Sequence, residues 1–187
     1  MKGLLFQGTR TYFKGERQWD ALLAALRPEL SAFMQQRFIP GVFYEALVVP
    51  ELIQVEAAIC KLSVEEYLAR RTRWQANRDL RGVYRVVIRM APPEFTVSRL
   101  MMVMTQMFNF GSATVTGSGR GHLEVEVGGV PRILAAWLNQ TIGLYGEICL
   151  KMAGTTEAEV LPHDIQDESD VFGHPTVRLS FRCRWVR

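Results

Sequence analysis

The stretch from Phe108 to Gly154 constrains the fold more than any other, because its hydrophobic period changes once, between two sharp breakers. Ala113, Val115 and Gly117 alternate with Thr114 and Thr116. The glycine-rich GSGRG follows at 117–121, and Leu123, Val125 and Val127 then alternate with Glu124 and Glu126. A period of two in both arms predicts a β-hairpin with one dry and one wet face. After Gly128 and Gly129, Pro131 opens a segment in which Ile133, Leu134, Trp137, Leu138, Thr141, Leu144, Tyr145, Ile148, Cys149 and Met152 recur at three- and four-residue steps. That spacing predicts a helix started by the proline and closed at Gly154 in left-handed geometry, with its apolar stripe laid on the dry face of the hairpin.

The remainder of the chain fits around this unit. Val177, Leu179, Phe181, Cys183 and Trp185 alternate with Arg178, Ser180, Arg182 and Arg184 in a final strand, and Ala158, Val160 and Pro162 trace another. Before Phe108 the pattern is helical. Trp19, Leu22, Leu23 and Leu26 follow helical steps up to Pro28, a short helix follows that proline, and another starts near Pro50. Ser63 and Glu66 have the spacing of a capping box. A further apolar pattern runs over 80–90, and 97–110 is apolar almost all round. The expected architecture is α+β. A helical amino-terminal part packs on a three- to four-stranded antiparallel sheet crossed by one long helix. One domain is expected over 1–187, with 1–107 mainly helical and 108–187 holding the hairpin, the long helix and the last strands.

Composition is globular, with 48% hydrophobic and 22% charged residues, and no run approaches the length of a membrane span. The sequence predicts a soluble chain in the cytoplasm. Cys60, Cys149 and Cys183 are far apart in apolar surroundings, which reads as buried thiols without metal-ligand spacing. Net charge is only +3, with the basic excess in the first half. If 70–89 were one helix, Arg71, Arg78, Arg81 and Arg85 would share a side and could hold an anion, although a solvated face paired with nearby carboxylates has the same pattern. No nucleic-acid-binding signature accompanies these arginines, which argues against nucleic acid as a partner.

Two further constellations suggest binding. Met101, Met104 and Met107 lie in a methionine-rich helix, and thioethers fill irregular apolar space. With Trp137 and Tyr145 they are the candidate lining of a cavity for an apolar small molecule, against plain core as the alternative. Gly143 and Gly146, with Ala136, Asn139 and Gln140, form a strip of small residues on the long helix, expected to face away from its own sheet. Such a strip would pack against the amino-terminal helices or against a second copy in a two-fold dimer. Catalytic patterns are lacking. GSGRG precedes a strand where a nucleophile elbow needs a helix, and it lacks the Lys-Ser/Thr pair of a phosphate loop. His163 beside Asp164 and Asp167 is a pairing that arises by chance in polar loops, and the carboxylates of 164–170 lack the spacing of a calcium loop. No catalytic and no metal-ligating residue is assigned.

The opening MKGLLFQG, the segment LIQVEAAICKLSVEEYLARR, the NFG before the hairpin, GVPRILAAWL, the KMAG at the helix end and the terminal F-x-C-x-W resemble a family of proteins of unknown function found in myxobacteria. That family is similar to a superfamily of haem-based nitric-oxide-binding domains, vinyl-reductase-like ligand-binding domains and Bet3-type tethering subunits. The resemblance implies helices on a sheet-and-helix unit, with an apolar cavity and no reaction. Its haem branch requires an axial histidine on a mid-chain helix. The histidines here are His122, His163 and His174, none in such a helix. The expectation is therefore a non-catalytic small-molecule-binding or protein-interaction module in cytoplasmic signalling, without a cofactor, haem included. An enzyme or haem-linked sensor using the same cavity is the alternative, and nucleic-acid binding through the arginine-rich helix is the third reading.

Overall fold

The computed structural model describes residues 1–80, 86, 88, 90–171 and 173–186, with the side chains of 97 and 100–105 outside that description. The apolar pattern expected over 80–90 falls largely outside it. The chain divides into two compact units, one of Met1–Leu68 with Met107–Asn109 and the other of Ala69–Gln106 with Phe110–Arg187. Residues 69–106 thus belong with the sheet and not with the amino-terminal helices.

The first unit is built from α1 (Gly3–Gly15), α2 (Trp19–Ala25), α3 (Pro28–Gln35), α4 (Val49–Ile59) and the start of α5 (Val64–Asp79). Pro28 opens α3, where a missing amide hydrogen costs nothing. The capping box at α5 is present: Ser63 Oγ accepts from the Glu66 amide at 3.2 Å, and Glu66 Oε2 accepts from the Ser63 amide at 2.9 Å. Aromatic rings fill the core. Phe6 stacks on Phe38 at 4.8 Å, and Tyr12 and Phe13 meet Tyr67. Buried among them, Tyr67 donates its hydroxyl to Glu56 Oε2 at 2.6 Å. Glu56 lies three and four residues from the buried Ile53 and Leu52, so its place on the inner face follows from helical spacing.

The second unit holds α6 (Pro93–Met107) up to Gln106, and the sheet. β1 (Ser112–Gly119), β2 (His122–Pro131), β3 (Glu157–Asp167) and β4 (Thr176–Val186) form one antiparallel sheet in the order β1-β2-β4-β3. The hairpin turn is Arg120-Gly121, with Gly121 at φ +75°. A single 3-10 turn, Arg132–Leu134, leads into α7 (Ala135–Met152), and Gly154 at φ +87° ends it as expected. Leu123, Val125, Leu179, Phe181 and Cys183 are buried on the dry side of the sheet. No helix among the described residues is long and apolar enough to cross a membrane.

Two expectations about α7 are corrected. The helix lies over β3 and β4 more than over the hairpin. The face it turns to the sheet carries Ala135, Leu138, Ile142, Gly146, Cys149 and Leu150, so only Leu138 and Cys149 of the expected stripe are on it. Gly143 and Gly146 are therefore under the chain's own β3: a Cβ on Gly143 would stand 3.3 Å from the Val160 carbonyl oxygen, and one on Gly146 would stand 3.0 Å from Val160 Cγ2. Both are buried, so these two glycines offer no exposed surface, whereas Ala136 is exposed and Asn139 and Gln140 are half-buried. The close approach of helix and strand is what selects glycine there.

The acidic run after Pro162 is not wholly a loop. It continues β3 to Asp167, where Asp167 pairs with Arg132. Glu168 accepts from the Gly129 amide at 2.6 Å and from Arg178 at 2.8 Å. One carboxylate thus ties the left-handed Gly129, at φ +68°, to β4.

Candidate ligand-binding site

With Ala135, Ile142 and Gly146 against the sheet, helical geometry puts Trp137, Thr141, Leu144 and Ile148 on the opposite side of α7 and Tyr145 on its flank, next to Leu138 and Cys149. All five are half-buried. These five belong to the stripe that the sequence assigns to the sheet, of which Leu138 and Cys149 are fully buried. Two polar groups interrupt it. Thr141 Oγ1 is buried with no hydrogen-bond partner among the described residues, a state that costs about 1–3 kcal/mol unless another group satisfies it. Tyr145 is the second. Burial pushes its phenol well above the usual range, and the Asp79 carboxylate and the Cys149 sulfur push it the same way. The hydroxyl is therefore neutral at physiological pH and can donate. An apolar wall with two hydroxyls along one helix suits a largely apolar ligand that carries an acceptor.

Of the five residues expected to line one cavity, Trp137 and Tyr145 are both half-buried on α7, about two turns apart. Met101 and Met104 lie on α6, with side chains outside the described residues. Met107 ends α6 half-buried in the first unit, where its carbonyl accepts from the Lys2 amide at 2.8 Å. Thr141 enters the sequence reading only as one more stripe position, and nothing in the spacing marks its hydroxyl as unsatisfied.

The arginine stripe is represented by Arg71 and Arg78, since Arg81 and Arg85 lie outside the described residues. Both guanidinium groups cover Trp74, at 4.7 and 5.1 Å from the ring centroid. Arg71 also donates to Gln75 at 2.8 Å, and Arg78 stands 3.4 Å from Asp79. Their charges are engaged within α5, as on a solvated face.

No group of three or more His, Cys, Asp or Glu that could hold a metal ion appears among the described residues. His163 is exposed, and Asp164 accepts instead from the Ile165 amide and from Gln166, each at 2.8 Å. Cys149 and Cys183 are buried, and burial pushes both thiols up to about 12, which keeps them protonated and unreactive. Cys60 is half-buried, with its sulfur 4.0 Å from Gln18 Oε1. A groove of about 880 Å³ opens at the end of the sheet beside Gly121, but it is lined by Glu124, Glu157 and Glu159 as much as by Arg182, Arg184 and Lys151. Arg182 is already paired with Glu124 at 3.1 Å, so this groove has no excess charge with which to select a ligand.

A histidine-ligated haem does not fit this donor set. His122 opens β2, His163 is in β3 and His174 lies between β3 and β4, and all three are exposed.

No family model and no curated protein matches the chain. Solved structures do. An Fe(II) unliganded H-NOX protein from K. algicida superposes with a TM-score of 0.66 at 12% identity, covering 100% of this chain and 97% of that one. An oxygen-binding H-NOX domain related to soluble guanylate cyclases, in its oxygen complex, gives 0.65 at 12%, covering 100% and 96%. A member of the H-NOX family in which haem distortion was probed gives 0.65 at 13%, with the same coverage. These neighbours overturn the expectation that a chain of this kind takes no cofactor, because they are haem domains and the likeness runs the full length of both chains. At such identities the likeness establishes architecture, and this chain has the fold of the H-NOX domains.

Proposed function

We propose that the chain is a haem-linked sensor domain in signalling, with its ligand held against the face of α7 that carries Trp137, Thr141 and Tyr145. The observation that carries this reading is the likeness of fold, over the whole length of both chains, to H-NOX domains. The wall on α7 supports it, since it joins a large aromatic and aliphatic surface to one unsatisfied hydroxyl and one neutral phenol. In this reading His122, His163 and His174 would not hold the iron, because all three are exposed and none is on a helix. Bound haem would supply a site for a diatomic gas. Trp137 and Leu144 would exclude water, and Tyr145 would donate to an acceptor on the ligand.

The reading is tested by ligand retention in protein expressed with haem supply. Trp137→Ala and Tyr145→Phe should each lower the haem that stays bound through gel filtration. Retention unchanged in both variants would remove the ligand from this wall.

A further inference from the structure

One turn of the first unit carries a concentrated apolar tip. Ile39, Val42 and Phe43 keep 54%, 46% and 44% of their surface open, with the exposed Pro40 and Gly41 among them. The other large apolar side chains exposed among the described residues lie at least four residues from one another. The tip is firmly held. The Val42 amide donates to the Ile39 carbonyl at 3.2 Å, which closes a β-turn with Pro40 where its fixed φ is favoured. The Val42 and Pro40 carbonyls accept from the Gly3 and Leu4 amides at 2.9 and 3.3 Å, so the turn satisfies donors that the start of α1 leaves open. Tyr44 Oη accepts from the Ile39 amide at 2.9 Å and donates to the Arg37 carbonyl at 3.4 Å. A Cβ on Gly3 would collide with the Ile39 carbonyl oxygen, so only glycine lets the turn lie this close to α1. A turn fixed on both sides cannot fold its apolar side chains inward without breaking these bonds.

We propose that this tip inserts into the surface of a bilayer with anionic headgroups, with Ile39, Val42 and Phe43 at the apolar boundary and Lys2 and Arg37 on the phosphates. Exposed apolar groups rimmed by polar ones mark sites of interaction, and here charge selects the occupant. Lys2 Nζ lies 5.8 Å from the centre of the Phe43 ring, and the exposed Arg37 stands two residues before Ile39. Neither cation is in an ion pair among the described residues. The carboxylate next along the chain, Glu45, is engaged in its own turn, where it accepts from the Leu47 amide at 2.8 Å. Cations beside an inserted apolar group are drawn to anionic lipid, and a lysine stem follows apolar surface while its head stays wet. Size argues against a protein in this place. A stable protein interface takes about 20–30 residues a side, far more than this tip and its rim offer, whereas a bilayer demands no matching shape. Because the turn is already ordered, it loses little entropy on entry. Insertion here would not depend on what the face of α7 holds.

Co-sedimentation of the full chain with large unilamellar vesicles tests this. The wild type should pellet with vesicles of phosphatidylcholine and phosphatidylserine, far less with phosphatidylcholine alone, and less as salt is raised. Phe43→Ser should weaken the partition about tenfold and Val42→Ser about fivefold by removing apolar burial, with the thermal midpoint unchanged. Arg37→Ala should weaken it about fivefold through lost charge. Val64→Ser, at a valine of similar exposure at the start of α5, should bind as the wild type does. If Phe43→Ser is unstable, Val42→Ser decides, because residue 42 holds the turn through its backbone. A wild type that ignores the phosphatidylserine vesicles, one that binds both kinds of vesicle equally, or a folded Val42→Ser variant that binds undiminished would each overturn the proposal. So would self-association of the wild type that Val42→Ser abolishes, since the turn would then belong to a second copy.

Discussion

Gly146 of α7 stands so close to Val160 of β3 that a Cβ on the glycine would come within 3.0 Å of Val160 Cγ2. The helix can lie this near the strand only because the side chain is absent. Gly146→Leu should therefore destabilise the chain by about 2–3 kcal/mol through overpacking, although glycine is itself a poor helix former. Gly15, at the end of α1, has nothing within 4 Å of its Cβ position, and Gly15→Ala should be neutral or stabilising by up to about 1 kcal/mol. Urea denaturation of the two variants reads both signs. A neutral Gly146→Leu would mean that helix and strand are further apart than described.

The same contact shows where the sequence could not be followed. The hairpin and β4 are plain in it, because an antiparallel sheet with one dry face imposes strict alternation, and Val177 to Trp185 keep to it. The existence of α7 and its end at Gly154 are equally plain. Its orientation is not. A helix with one face under a sheet and another half-buried is apolar on both, and the 3.6-residue period does not tell which face meets the strands. The large residues Trp137, Leu144 and Tyr145 invite assignment to the sheet, yet the small ones, Ala135, Gly143 and Gly146, go there because the approach is close. The unsatisfied Thr141 hydroxyl is illegible for a related reason: satisfaction depends on what surrounds a group in space, and spacing along the chain is silent on that.

Glu168 should be a structural anchor out of proportion to its position in a polar segment. Its side chain is only 20% exposed, and it serves both the Gly129 amide and Arg178. Glu168→Ala should cost about 1–3 kcal/mol, since it leaves a partly buried amide unsatisfied. Glu168→Gln, which keeps an acceptor for Gly129, should cost less. Amide exchange at Gly129 provides the local check, and it should accelerate in the alanine variant well before global unfolding.

The three thiols should separate by reactivity. Cys149 and Cys183 are protonated throughout the physiological range, because burial pushes both up to about 12, while Cys60 is half-buried. At pH 8 a thiol reagent should label Cys60 first in the native protein and reach the other two only after denaturation. Fast labelling of Cys183 in the native state would contradict the burial of the inner face of β4.

Thr141→Val should act in opposite directions on stability and binding. Replacing an unsatisfied buried hydroxyl with a methyl group removes a desolvation penalty, so the ligand-free protein should be unchanged or more stable by about 1 kcal/mol. If the hydroxyl serves a ligand, the same change should weaken ligand retention. Thermal midpoints of the ligand-free variant and binding to the loaded one separate the two effects. A destabilised ligand-free variant would show that Thr141 already has a partner.

The central claim, that this fold holds haem in this chain, is tested most directly by the visible spectrum of the full chain after haem is added and unbound haem is removed by gel filtration. The account predicts a Soret band that co-elutes with the protein, persists in the His122→Ala, His163→Ala, His174→Ala triple variant, and weakens in Trp137→Ala and Tyr145→Phe. Colourless protein after haem loading would contradict it, and so would a Soret band abolished by loss of the histidines.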